Sequence, residues 1–422
     1  MPCIKFAFLL SARKSMKFIS LCCLFFPLIA SCSSQSAQSQ IPEPDFIVET
    51  PVVKSILPGI YAMDSIVAAL SGKRVALIAN HTSLINETHL VDTLLSSGIE
   101  VVKVFASEHG FRGDAPDGEH IDNTTDSKTG LPIVSLYGKN KKPTPEMLKD
   151  VDVILFDIQD VGCRFYTFLS TMHYAMEAAA ENGLEMVVLD RPNPNGFFVD
   201  GPVLDLKFKS FVGMHPIPVV YGMTLGECAK MINGEGWLKN GDQCNLKVFA
   251  CENYTHKSLY ELPEKPSPNL PDMEAVYWYP SICFLEGTDV SVGRGTPTPF
   301  TIIGEPGNKG GDFKFTPVSI ENASVNPPHK GKLCVGYDLS GKLDFENLPD
   351  TLQLSWLVRM YNETDNKADF FRKDGYFDLL AGTDALRKDL VAGKTADEIR
   401  AGWQKDLENF KKIRAKYLMY TD

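Results

Sequence analysis

Several signatures that assign a chemistry at sight are missing from this 422-residue chain. After the first strand-like run it reads NHTSLIN, without the glycines of G-x-G-x-x-G, and no Walker A loop occurs. An α/β layout that lacks both gives no argument for a nucleotide. There is no G-x-S-x-G elbow, no H-E-x-x-H pair and no C-x-x-C spacing. The common serine-hydrolase, zinc-protease and zinc-ribbon readings fall with them. Positive charge is in deficit, 42 Lys and Arg against 53 Asp and Glu, a net −11. No broad basic face for nucleic acid is expected, so any anion has to be met by a few placed arginines. His109, Asp114, Asp117 and His120 stand near one another but follow no recognised ligand spacing, and neither a metal nor another cofactor is expected.

What is present begins with an export signal. Lys14 and Lys17 lead into FISLCCLFFPLIA, an apolar run shaped like a signal-peptide core and short for a membrane span. It closes in Leu28-Ile29-Ala30-Ser31-Cys32, an apolar residue, two small ones and a cysteine, which resembles a bacterial lipobox. Residues 1–31 are read as a lipoprotein signal peptide, Cys32 as the lipidated residue, and the polar, proline-containing stretch 32–55 as a flexible tether. The plain alternative is an ordinary secretory signal with an incidental cysteine. The body is expected in the cell envelope on the periplasmic side, touching the membrane through lipid alone. Six cysteines remain in it: Cys163, Cys228, Cys244, Cys251, Cys283 and Cys334. An oxidising compartment permits a Cys244–Cys251 disulfide across a short loop, and scattered buried thiols are the competing expectation.

From residue 56 onward the pattern alternates. RVALIAN (74–80), VVKVFAS (101–107), LPIVSLYG (131–138), VDVILFDIQD (151–160), LEMVVLD (184–190) and LKVFAC (246–251) read as strands. Between them, 89–98, 144–151, 167–183 and 223–234 read as helices, the last opened by a Thr224/Glu227 capping box. Strands apolar on both faces and separated by helices give a doubly wound, mostly parallel, Rossmann-like sheet. After about residue 260 the chain turns rich in proline, aromatics and glycine and ends in a helical stretch at 396–418. A Rossmann-like domain over 56–260 and an auxiliary α+β domain over 261–422 are expected.

Ligands of such a sheet bind beyond the carboxyl ends of its strands, and each strand ends in a polar cluster. These are Asn80-His81-Thr82, then Ser107-Glu108-His109 with Arg112, then Asp157 to Asp160 with Arg164 and Tyr166, then Asp190-Arg191-Pro192-Asn193. Glu108 stands where a buried strand opens into a glycine-bearing loop, where partial burial would raise its pKa as a general acid needs. The competing role is a loop brace. Asp157 and Asp160 are either a carboxylate pair or an Asx turn with a salt bridge to Arg164. Asn80 and the Asp190–Asn193 run equally suit turn chemistry, and His109 equally suits packing. From the second domain come Glu286 and Arg294, set among glycines, and Tyr277, Trp278 and Tyr279, which offer either a stacking wall for a sugar or core.

Taken in order, SEHGFRG, FDIQDVGCRFYT, LDRPNPNG, YGMTLGE, SPNLP and LEGTDVSVGRGT resemble the NamZ-like exo-β-N-acetylmuramidases, glycoside hydrolase family 171, formerly a domain of unknown function. The resemblance runs over about residues 56–420. It implies a Rossmann-like domain, an auxiliary domain, an active site in the cleft between them, and release of N-acetylmuramic acid from the non-reducing end of peptidoglycan fragments. It makes Glu108 the catalytic acid. Cys163 departs from the small residue expected at its place. Such hydrolysis uses a protonated carboxyl and commonly a second carboxylate. Asp157, Asp160 and Glu286 are the candidates for the second, unless the substrate's acetamido group attacks in its stead. Muramic acid carries a lactyl carboxylate, which suits a bidentate arginine. Arg164, Arg191 and Arg294 are the candidates, with Asn80, His109, Arg112, Tyr166 and Asn193 as further substrate contacts. A lipid-anchored saccharide-binding protein without turnover, or a hydrolase of another amino sugar or an ester, are the alternatives.

Overall fold

In the computed structural model, residues 54–107, 110–112, 124–136, 138 and 140–422 are described. The apolar runs become β1 (Arg74–Ala79), a small antiparallel hairpin of β2 (Leu84–Ile85) and β3 (Thr88–His89), then β4 (Glu100–Ala106), β5 (Thr124–Thr125), β6 (Pro132–Ser135), β7 (Val153–Asp157), β8 (Glu185–Leu189) and β9 (Asn245–Phe249). All but the hairpin join one sheet in the order β5-β6-β4-β1-β7-β8-β9. Every pairing in it is parallel except that of β5 with β6. Without the short β5, the strands lie in the order third, second, first, fourth, fifth, sixth, which is the doubly wound order with its reversal between β1 and β7. β7 is buried at all five positions, as a central strand covered on both faces must be.

Helix α1 (Met63–Leu70) precedes β1, and α2 (Leu90–Ser96), α3 (Phe168–Asn182) and α4 (Leu225–Gly234) lie in connections between the strands. α4 starts at the capping box expected from sequence, with Thr224 and Glu227 each accepting the other's backbone N–H. The helix expected over 144–151 is a single 3-10 turn, Glu146–Leu148. The reason lies just beyond it. Asp152 already bonds the backbone and the guanidinium of Arg74 at the edge of β1, so the chain must be extended by then.

The second half holds α5 (Met273–Ile282), an antiparallel sheet of β10 (Ile302–Glu305), β11 (Phe313–Phe315) and β12 (Cys334–Asp338), and helices α6 (Ser355–Glu363), α7 (Tyr376–Ala381), α8 (Ala385–Val391), α9 (Ala396–Ala401) and α10 (Gln404–Arg414). The helical stretch at 396–418 is thus two helices. Trp403 stands between them, turned inward with its indole N–H on buried Asp200 at 2.9 Å. The change of architecture near residue 260 is not a gap in packing. Lys54–Asp422 forms one compact unit, and one apolar cluster runs from Ile154 in the sheet to Phe410 in α10. Trp278 and Tyr279 belong to that core. The six body cysteines are free and buried. Cys244 precedes β9 and Cys251 follows it, and the extended strand between them holds them apart. No helix among the described residues is long and apolar enough to cross a membrane.

One side chain joins the halves at the point that matters for the site. Arg164, 1% exposed, donates from Nη1 to the carbonyls of Pro202 (2.8 Å) and Ile217 (2.7 Å). From Nη2 it reaches the carbonyls of Leu380 (3.0 Å) and Ala381 (2.7 Å) in α7. Burial lowers this guanidinium to about 10, so it stays charged at neutral pH, with carbonyl dipoles in place of a carboxylate. Gly382 makes room for it: a Cβ there would lie 2.6 Å from Nη2, and its φ of +72° is one that glycine adopts readily. Replacing Arg164 by Met keeps the volume and strips four buried carbonyls of their donor. We expect Arg164→Met to lower the unfolding free energy in urea by about 3 kcal/mol or more; a loss under about 1 kcal/mol would contradict this role.

Candidate active site

The parallel strands carry their expected polar clusters to one edge, but most of those side chains turn to each other. Asp157 closes β7 fully buried and takes Arg191 in two hydrogen bonds, 2.6 Å from Nε and 2.9 Å from Nη2. Neither group is left for substrate, and the partner of Asp157 is Arg191 where the sequence suggested Arg164. Asn80, also fully buried, spends its Oδ1 on the N–H and hydroxyl of Thr82, and Thr82 in turn accepts the Gln159 N–H. Ser83 donates to the Asp157 carbonyl. The crevice between β1 and β7 is therefore laced shut by the protein's own groups. Asn193 accepts the Asn195 N–H and donates to the Met223 carbonyl. Arg112 lies in a two-pronged pair with Asp126 at 2.8 Å, with Asp92 at 3.6 Å. This pair drives the Asp126 carboxyl well below its usual range. Each of these side chains makes a scaffold bond, as polar groups at buried strand ends commonly do; Asn80 Nδ2, Gln159 Oε1 and Asn195 Oδ1 are buried without a partner among the described residues.

Asp190 follows this rule in a different way. It accepts from the Thr224 hydroxyl, the Gly226 N–H and the Tyr420 hydroxyl. Burial nevertheless pushes its carboxyl up to about 6. Asp160 goes further. Its Oδ1 accepts from the Gly162 N–H (2.6 Å) and the Tyr221 hydroxyl (2.8 Å), while Oδ2 is buried without a partner. Desolvation raises it to about 7. It has the pKa of a general acid and no opening through which to use it.

Three of the expected residues do meet in one place. Tyr166, Glu286 and Arg294 line a pocket of about 110 Å³ between the segment after β7 and the second half. Tyr166 belongs to the wall that precedes α3, and its hydroxyl is fixed on the Pro266 carbonyl at 2.6 Å. Its ring packs edge-on against Phe168 and Tyr279. α5 runs into a 3-10 turn, Cys283–Gly287, which presents Glu286. Arg294 comes from the glycine-rich loop and bonds Glu286 Oε1 through Nε at 2.5 Å. Glu286 Oε2 has a single, weak donor, the Cys283 thiol at 3.5 Å. α7 closes the far side with Tyr376 and Leu380. It can approach because residue 287 is glycine: a Cβ there would lie 2.4 Å from the Phe377 Cα.

Glu108 and His109, and likewise Cys32, lie outside the described residues. Their described neighbours are Ser107, buried at the end of β4, and Gly110, whose N–H donates to the Ser107 carbonyl. Among the described residues no cluster of three metal-ligating side chains occurs. Sequence reading missed two pocket residues. Asn269 sits in the SPNLP motif, which carried a family signal but no role. Tyr376, in KDGYFDLL, carried no signal at all, because nothing local shows that α7 folds back onto the Glu286 turn.

Two family models match this chain: exo-beta-N-acetylmuramidase NamZ, N-terminal, over residues 75–274, and its C-terminal counterpart over residues 277–420. The chain is 42% identical over 375 residues to the peptidoglycan beta-N-acetylmuramidase NamZ of Bacillus subtilis (strain 168), a match covering 83% of this chain and 88% of that protein. Two crystal structures of DUF1343 family proteins from Bacteroides fragilis NCTC 9343 are similar. One has a TM-score of 0.81 and 46% identity, covering 87% of this chain and all of that one. The other has a TM-score of 0.74 and 31% identity, covering 87% and 99%.

The sealed Asp160 carboxyl makes a prediction about stability. Its folded pKa lies above the ordinary 3.8, so between about pH 4 and 7 the folded chain holds a proton that the unfolded chain has released. Stability therefore falls as pH rises through that window. Asp160→Asn has no such proton. Measured by urea at about pH 5 and about pH 8, the stability of the variant relative to wild type should rise by about 1–3 kcal/mol at the higher pH; no change between the two would contradict the assignment.

Proposed function

This chain belongs to the exo-β-N-acetylmuramidase NamZ family, and we propose that its reaction takes place in the pocket that Glu286 and Arg294 line. The protein is a glycosidase that acts on peptidoglycan-derived saccharide and releases N-acetylmuramic acid from the chain end. The observation that carries the assignment of the pocket is one of elimination by partners. Asp157, Asp160, Arg164 and Arg191 are sealed in the scaffold, whereas Glu286 and Arg294 line a cavity. Glu108 is the acid in this reading. It follows Ser107 at the carboxyl end of β4, and its SEHGFRG motif is intact. It gives its proton to the glycosidic oxygen as the bond breaks. Glu286 is the second carboxylate and steadies the positive charge that develops near the anomeric carbon. Arg294, which lines the same pocket, is the arginine we assign to the lactyl carboxylate.

The test is hydrolysis of a chromogenic β-N-acetylmuramide by the protein from residue 33 onward. Glu108→Gln should lower kcat/KM by about 10²- to 10⁴-fold with the melting temperature unchanged. Turnover that survives in this variant would remove Glu108 from the role of acid. Saccharide binding without turnover by the wild type would favour a binding protein.

We also propose that the protein is an exported lipoprotein, held on the periplasmic side of the envelope through Cys32. The apolar run that ends in Leu28-Ile29-Ala30-Ser31-Cys32 supports this. Cys32→Ala should move the protein from the membrane to the soluble fraction; a variant that stays with the membrane would contradict it.

A further inference from the structure

The pocket contains a hydroxyl that the rest of the protein does not use. Tyr376 opens α7 directly after Gly375, with its N–H on the Asp374 carboxylate and the Arg372 guanidinium 4.8 Å from the ring centre. The side chain is half-buried, and its hydroxyl makes no hydrogen bond among the described residues. Burial, and after it the Glu286 charge, push the phenol up, so it remains a donor at any pH where the enzyme works. Glu286 supplies the opposite character beside it. One carboxylate oxygen is taken by Arg294, and the other has the Cys283 thiol alone. The remaining wall is mixed: Phe165, Phe300 and Leu380 give it an apolar part, and Thr167, Ser267 and Asn269 a polar one.

The cavity beside this donor and acceptor, about 110 Å³, admits a substituent of a few heavy atoms. A secondary amide has one acceptor, one donor and, in an acetamide, a methyl group. We propose that Tyr376 and Glu286 form the subsite for the 2-acetamido group. The Tyr376 hydroxyl donates to the amide carbonyl oxygen, Glu286 Oε2 accepts the amide N–H, and the methyl rests against Phe300 and Leu380. The identity of the saccharide rests on the muramidase reading; the recognition of the amide does not depend on turnover. Tyr376 is thereby a specificity residue, set by α7 and so by the grip of Arg164 on that helix.

Calorimetric binding of two ligands tests this. They are N-acetylmuramic acid and 3-O-lactylglucose, which carries a hydroxyl in place of the acetamide. Wild type should prefer the first by about tenfold or more, and Tyr376→Phe should lose about tenfold on the first alone, with an unchanged melting temperature. N-Methylation of the ligand amide should weaken wild-type binding by a similar, about tenfold, factor, and this arm needs no variant. Equal losses on both saccharides in Tyr376→Phe would reduce the residue to ring packing and overturn the proposal. So would a wild type that does not distinguish them, or full affinity for the N-methyl ligand. Discrimination that persists in a protein unable to hydrolyse β-N-acetylmuramides would sink the catalytic reading and leave the subsite standing.

Discussion

The pocket depends on one guanidinium buried in the scaffold. Arg164 leaves the end of the central strand and binds four backbone carbonyls, two of them in α7. The residues that follow it, Phe165 to Phe168, are one wall of the pocket, and α7 is the opposite wall. A single buried charge thus fixes the distance between two surfaces far apart in sequence. An arginine with no carboxylate is costly to bury, and the geometry tolerates it because four carbonyl dipoles converge on its two terminal nitrogens. The tight contact at Gly382 completes the fit from the helix side.

At the carboxyl edge of the sheet the protein's own polar groups bond to one another. At the reversal between β1 and β7, where such folds hold a dinucleotide, Ser83 donates to the carbonyl of Asp157 at the end of β7, and Thr82, braced by Asn80, accepts the Gln159 N–H in the loop that follows. Next to them the Asp157–Arg191 pair is wholly buried. These bonds make the edge a rigid floor. The proposed site lies to one side, in the cavity lined by the segment following β7 and by the second half. The same scaffold binds its own carboxyl-terminal stretch: Glu227 accepts the N–H groups of Met419 and Tyr420, and the Tyr420 hydroxyl reaches Asp190. The second half is consequently pinned to the first at both Asp190, next to the end of β8, and Asp200 in the connection that follows.

Much of the fold was legible in the sequence because period and capping are local. The six long strands of the sheet, the Thr224/Glu227 box and the glycine stop at Gly183 all follow from spacing and backbone preference. The 3-10 turn at 146–148 and the break at Trp403 did not, since each answers to a partner distant in sequence, Arg74 and Asp200. For the site, the sequence left the choice among three arginines open. Residue type and position at a strand end made Arg164, Arg191 and Arg294 equivalent. Burial separates them: two are committed to carbonyls or to Asp157, and the third lines the cavity. Tyr376 shows the opposite failure. Its place is set by Gly287, Gly382 and Arg164, none of which marks it in sequence.

The most direct test is a crystal structure of the protein with N-acetylmuramic acid bound. The sugar should sit at the mouth of the pocket between Tyr166 and α7, with its lactyl carboxylate on Arg294 and its acetamide turned inward toward Glu286 and Tyr376. A sugar seated instead over the β1–β7 edge, or one whose carboxylate displaces Asp157 from Arg191, would contradict the account.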